Sequence, residues 1–204
     1  MHPSCQTLGP MNEPPILLKH SQERHYSAHN TLLHIALIEL EGAKSGTVGQ
    51  FNHAFIAITF SALAIEALAN AVGDRVVPEW KDFENASPFA KVRLLAEKLG
   101  VPYSAAEEPW AAIRWLCKFR NQVAHAKPER VTREEVVSQH EHETRRYSAP
   151  PSKLESQVTE GNARRAVKAV EALKYALSER IPAGERFGLS SDGWSSSTKL
   201  HDVA

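Results

Sequence analysis

Between Gln50 and Val72 the chain is apolar on nearly every helical face, and this segment limits the folds open to it more than any other. Phe51, Phe55, Ile58, Phe60, Leu63, Ile65 and Leu68 recur among alanines. The length and alanine content favour a helix over a strand. A helix apolar all round needs other helices around it, so it belongs at the centre of a bundle. Gly73 is read as the residue that stops it. The most apolar part, residues 54–65, contains Thr59 and Ser61 and ends at Glu66. It is shorter than the roughly 18–20 apolar residues of a membrane span. No apolar leader opens the chain. The expectation is a soluble, cytoplasmic protein without a membrane partner.

The partners of this helix can be read from periodicity. Residues 22–42 carry a helical pattern through Leu32, Leu33, Ile35, Ala36, Ile38 and Leu40, closed by Gly42. Ser87–Pro88 opens another helix in the favoured order of cap then proline. Phe89, Val92, Leu95 and Leu99 face its core, and Gly100 ends it. Trp110, Ile113, Leu116, Cys117 and Val123 stripe a helix that frays near His125, ahead of Pro128. Residues 129–152 read as a short exposed helix or an excursion. A last helix over 153–180 shows Val167, Val170, Leu173 and Leu177. No strand pair stands out. Residues 1–18 are predicted to be a flexible leader, 19–181 the helical domain, and 182–204 a disordered tail rich in Gly and Ser. The predicted class is an all-α bundle of four to five helices with an antiparallel up-down core.

Charge excludes one class of function. Lys+Arg and Asp+Glu are 24 each, so no global field draws the protein to a polyanion. Attraction to nucleic acid must be local. Arg114, Lys118, Arg120, Lys127, Arg130 and Arg133 stand against Glu129 in one segment, which suits localised phosphate contact. Trp110, Trp115 and Phe119 could stack bases there, although rings so spaced also fit a core. Two cysteines, Cys5 and Cys117, form no metal or disulfide pattern. His25 and His29 share a helical face, but a metal site needs a third ligand, and no metal or other cofactor is expected.

The segment Trp115–Leu–Cys–Lys–Phe–Arg120–Asn121–Gln–Val–Ala–His125–Ala–Lys–Pro128 resembles the signature of the HEPN superfamily (higher eukaryotes and prokaryotes nucleotide-binding). That signature is an Arg, four to six residues, then a His, often with a polar residue directly after the Arg. The run Ser61–Ala–Leu–Ala–Ile–Glu66–Ala–Leu–Ala–Asn70 is similar to the family's preceding helix, where an acidic residue and an Asn interrupt an apolar surface. Asn121 and His125 are four apart and share a face, as do Glu66 and Asn70. A carboxylate on so apolar a helix needs a partner, and Arg120 is the natural one.

The resemblance implies a HEPN-like fold and a metal-independent endoribonuclease with a toxin or defence role. RNA would be the substrate, the chain a homodimer, and an antitoxin or regulatory protein a partner. His125 would be the acid/base, Arg120 the phosphate clamp, Asn121 a positioner, and Glu66 with Asn70 their support. Arg114, Lys118, Lys127 and Arg130 would contact RNA. The alternative is a non-catalytic dimeric HEPN module that binds nucleotide, RNA or a protein. Some family members carry a Tyr two residues after the His as a target of nucleotide modification. Lys127 stands there, so that regulation is not implied.

Overall fold

The computed structural model describes residues 18–44, 46–145 and 148–200. It is mostly helical, with six α-helices and one two-stranded ribbon among the described residues. In chain order the elements are β1 (Leu18–His25), α1 (Ala28–Gly42), α2 (Gln50–Val76), α3 (Pro88–Lys98), α4 (Trp110–Ala124), α5 (Gln139–Arg145), α6 (Glu160–Ser178) and β2 (Gly193–Leu200).

The apolar run becomes α2, and its surroundings explain its composition: α1, α3, α4 and α6 all pack against it. Ile58, Ile65, Leu68 and Val72 are fully buried, with Ala57, Ala64 and Ala69 letting the neighbours approach closely. The side chains also give the directions. Glu39 on α1 meets His53 near the start of α2 at 2.6 Å, while Ser27 and Ala28 share a cleft with Asp74 and Arg75 at its end. These two helices are therefore antiparallel. Gln157, just before α6, donates to Gln122 late in α4, and Arg165 on α6 donates to Glu108 just before α4. Those two are antiparallel as well. The short α3 packs against α2 and α4. Its N-cap is Ser87, whose Oγ accepts from the Ala90 N–H at 3.2 Å with Pro88 following, and Gly100 beyond its end takes a positive φ.

Several expectations change. The helical pattern begins at Ala28, because residues 18–25 form a strand. The last helix starts at Glu160, after a 3₁₀ turn at Glu155–Gln157. Gly73 does not stop α2, which runs on to Val76; its missing side chain instead makes room for Trp80, since a Cβ there would lie 2.2 Å from the indole. At this length α2 could cross a membrane by length and composition, yet half of its most apolar window is buried within the fold. That is how the central helix of a bundle looks.

The C-terminal segment departs furthest from expectation. Residues 188–192 are tied to the start of α1, and residues 193–200 form an exposed strand instead of a tail. Leu189 is fully buried, and β2 pairs antiparallel with β1 from Leu18↔Leu200 to His25↔Gly193. The predicted leader over residues 1–17 lies outside the described residues. Residues 126–145 are exposed almost throughout, and α5 buries none of its side chains.

Candidate functional site

Glu66 is brought to α4 by the middle of the central helix. Its carboxylate Oε2 accepts from Arg120 Nη2 at 3.2 Å. The same guanidinium donates through Nη1 to Asn121 Oδ1 at 3.1 Å. The expected Glu66–Arg120 pair is therefore present, and Asn121 completes it. A guanidinium carries five N–H donors. Two are used here, and Arg120 keeps a third of its side chain in water (33%), which leaves donors for a phosphate.

Lys91 on α3 joins from the other side. Its ammonium donates to Asn70 Oδ1 at 3.1 Å and lies 3.9 Å from Glu66 Oε1, and its side chain is 2% exposed. The sequence reading missed this residue. The signal for it was a lysine sharing the apolar face of α3 with Val92 and Leu95, the same kind of anomaly that singled out Glu66. Glu66 thus stands between two cations, one buried and one half-exposed.

His125 caps the C-terminus of α4. Its backbone N–H donates to the Asn121 carbonyl at 3.0 Å. Its imidazole is exposed and makes no hydrogen bond among the described residues. Asn121, His125 and the exposed Lys118 share the outer face of the helix, whereas Arg120 turns inward to Glu66. On an ideal helix five residues amount to about 140° of rotation and 7–8 Å of rise. The guanidinium and the imidazole therefore sit at the same end of α4 but leave the helix in different directions.

Comparison with protein-family models, with curated proteins and with solved structures gives no match.

The expected RNA contacts divide. Lys118, Lys127 and Arg130 are exposed. Arg114 is instead held on the protein, with Nη2 donating to the Tyr103 hydroxyl at 3.3 Å and the guanidinium 5.4 Å from the centre of the Phe89 ring. The three candidate stacking rings belong to the fold. Phe119 is fully buried, Trp110 donates to the Pro102 carbonyl, and Trp115 donates to Gln157 while Arg165 covers its ring. His25 and His29 do not share a helix: His25 is in β1 and His29 is buried in α1. Among the described residues no three His, Cys, Asp or Glu side chains group as a metal site would.

Burial around the network has one measurable consequence. Cys117, beside it on α4, has its thiol pushed up to about 12, first by burial and then by the Glu66 carboxylate, with Arg120 acting in the opposite sense. It is a packing residue, not a nucleophile.

Proposed function

We propose that this chain is a HEPN-type helical domain that acts as a metal-independent endoribonuclease, working as a homodimer with RNA as substrate. One observation carries the reading: a guanidinium pre-aimed by Glu66 and Asn121 stands at the same end of α4 as the exposed, unpartnered imidazole of His125. Both are open to solvent, as a phosphodiester requires.

The chemistry follows from the residue types. A ribose 2′-oxygen attacks the adjacent phosphorus and the bond to the 5′-oxygen breaks, leaving a 2′,3′-cyclic phosphate and a 5′-hydroxyl. His125 takes the 2′ proton or gives one to the leaving oxygen. Two copies with facing motifs would supply one imidazole for each transfer. The free N–H groups of Arg120 hold the non-bridging oxygens and stabilise the charge that builds on them. Lys118, Lys127 and Arg130 supply phosphate contacts on either side. Glu66 holds Arg120 in place, and Asn70 acts one step back through Lys91.

A second reading is favoured by the same ion pair. Arg120 is already neutralised by Glu66, as a residue that only holds the fold or a dimer would be. The two readings separate when purified protein is incubated with mixed RNAs in excess chelator. Cleavage that leaves cyclic-phosphate ends, and falls at least about a hundredfold in His125→Ala and Arg120→Ala, supports the nuclease. Cleavage that survives both substitutions equally rejects the assignment. No cleavage, with dimer loss on Arg120→Ala, supports the non-catalytic module. Toxicity to a host cell that vanishes with His125→Ala would speak for a toxin role.

A further inference from the structure

The ribbon of β1 and β2 has the least to hold it together of any part of this molecule. All eight residues of β1 are exposed, as are Trp194 to Lys199 of β2, so no helix covers either face. The base is anchored, by Arg24 to Asp192 at 3.0 Å and by the His25 ring against Phe187 at 4.7 Å. A two-stranded ribbon with neither face covered is marginal in water, and a further strand is one remedy. Lys19 adds a local cost. It stands directly opposite Lys199 on the same face, so two like charges meet across the ladder. Among the described residues the acids nearby are engaged elsewhere: Glu23 bonds to His25, and Asp192 to Arg24.

Each strand also has an open edge, since the sheet has no third member among the described residues. The two edges differ in what they offer a copy of themselves. A two-fold axis that makes two strands antiparallel neighbours stands normal to the sheet and keeps its faces, so each residue meets one of its own parity. Centred on Ser21 of β1, the axis sets Lys19 opposite the partner's Glu23, His20 opposite the partner's Gln22, and Ser21 opposite its own copy. Symmetry makes the ion pair occur twice. Centred on His20 or Gln22, the axis sets Lys19 opposite Ser21 or His25, with no ion pair. In β2 the one charge is Lys199, so no two-fold register of that strand joins opposite charges. Opposite charges directly across a pair of strands stabilise it and like charges do the reverse. Charge therefore selects both the edge and the register. A lysine on an edge strand ordinarily wards off other strands. Here Glu23, on the same face four residues on, turns that lysine into an attraction for a second copy. The present Glu23–His25 bond joins side chains 73% and 52% exposed, so Glu23 can exchange it for another cation.

We infer that the free edge of β1 docks a second copy of this chain, antiparallel about Ser21, in a four-stranded sheet ordered β2–β1–β1–β2. Lys19 then lies between Lys199 on one side and the partner's Glu23 on the other, which offsets the repulsion within its own ribbon. The two edges exchange main-chain hydrogen bonds that water otherwise makes. The contact is small, so association is weak, with a dissociation constant in the micromolar range or above. The inference goes beyond the nuclease reading and does not rest on it, because no residue of β1 belongs to the group of Arg120, Asn121 and His125.

The test uses the full chain, up to millimolar concentration, with association followed by sedimentation equilibrium. Both substituted positions are exposed, so the variants keep the fold. Lys19→Glu makes the edge acidic at both positions, and Glu23→Lys makes it basic at both. Each alone should weaken association by about tenfold or more, since two attractions become two repulsions. An equimolar mixture of the two variants restores it as a mixed dimer. The double variant Lys19→Glu/Glu23→Lys restores it too, because it carries the same pairs reversed. Hydrogen exchange locates the contact: alternate amides of β1 gain protection as the concentration of wild type rises. A wild type that does not associate overturns the proposal. So do single variants that associate as tightly as wild type, and losses that neither the mixture nor the double variant restores. A monomer whose outer β1 amides stay protected until residues 1–17 are removed would give the edge to the chain's own leader, and also overturns it. A dimer held by facing α4 motifs would be indifferent to all three β1 variants, so the two contacts fail separately.

Discussion

A carboxylate held between two cations on different helices is sensitive to removal in a way that depends on what is left behind. Were Glu66 replaced by Ala, Arg120 could turn to water, because a third of it is already there. Lys91 could not, at 2% exposure. Breaking a fully buried pair costs about 3–5 kcal/mol. The partial exposure of Glu66 (28%) and Arg120 brings the expected loss to about 2 kcal/mol, or roughly 4–8 °C in Tm for a domain of this size. Glu66→Gln keeps an acceptor for Arg120 and should lose about half as much in the same thermal melts. Equal and negligible effects of the two substitutions would mean that the network contributes nothing to the fold. A second residue-scale expectation concerns Cys117. A thiol pushed up to about 12 is ionised in about one molecule in ten thousand at pH 8, and this one is also 8% exposed. In a Cys5→Ser chain, an aromatic disulfide reagent at pH 8 should react only after denaturant is added. Prompt labelling of the native protein would contradict the packing of α4.

At the scale of elements, the five packed helices were legible from the sequence because each carries its own evidence: a 3.6-residue apolar period, a Ser–Pro start, a glycine end. The Glu66–Arg120 pair was legible for a related reason, since a charge on an apolar stripe demands a partner. Lys91 obeyed the same rule and went unread, because a lysine near a helix start passes for a surface residue. Gly73 was misread for a reason that periodicity cannot show. Its role is set by Trp80, which follows in the chain but folds back over α2. In an exposed helix Gly→Ala would stabilise by about 1 kcal/mol. Here the new methyl would meet the indole at 2.2 Å, and Gly73→Ala should instead destabilise by about 2 kcal/mol. Repeating the substitution in a Trp80→Ala background should restore the stabilising sign in denaturant titrations. A loss of the same size in both backgrounds would place the strain elsewhere.

For the whole molecule, what the sequence hid is the closure of the chain upon itself. Strands that are exposed on both faces lack the alternation that marks a half-buried strand, and β1 and β2 pair across some 170 positions. Polar composition near a C-terminus therefore read as disorder. The closure is held by the start of α1. His29 Nε2 bonds to the Leu189 carbonyl at 2.8 Å, and Asn30 donates to the Gly188 carbonyl and to Asp192 at 3.1 Å each. Lys174 bonds to Asn30 and to the Ser190 carbonyl, and Arg75 to the Phe187 carbonyl. His29 is also the group that makes this closure depend on pH. Burial holds its imidazole below the ordinary 6.5, and Lys174 and Arg75 push the same way, against the Leu189 hydrogen bond and Asp192. A base with a depressed folded-state value binds its proton more readily once unfolded. Its contribution to stability is therefore complete above about pH 6.5 and is lost as pH falls from there towards the depressed value. Denaturant midpoints should fall between pH 7 and 5.5 in wild type, and His29→Gln should flatten that slope. A chain ending at residue 186 loses Leu189 and the carbonyl that His29 bonds. It should be less stable at pH 7 by about 2–3 kcal/mol, through the buried leucine and the freed polar groups. A truncated chain as stable as the full one, with the same pH slope, would return the last eighteen residues to the status of a tail.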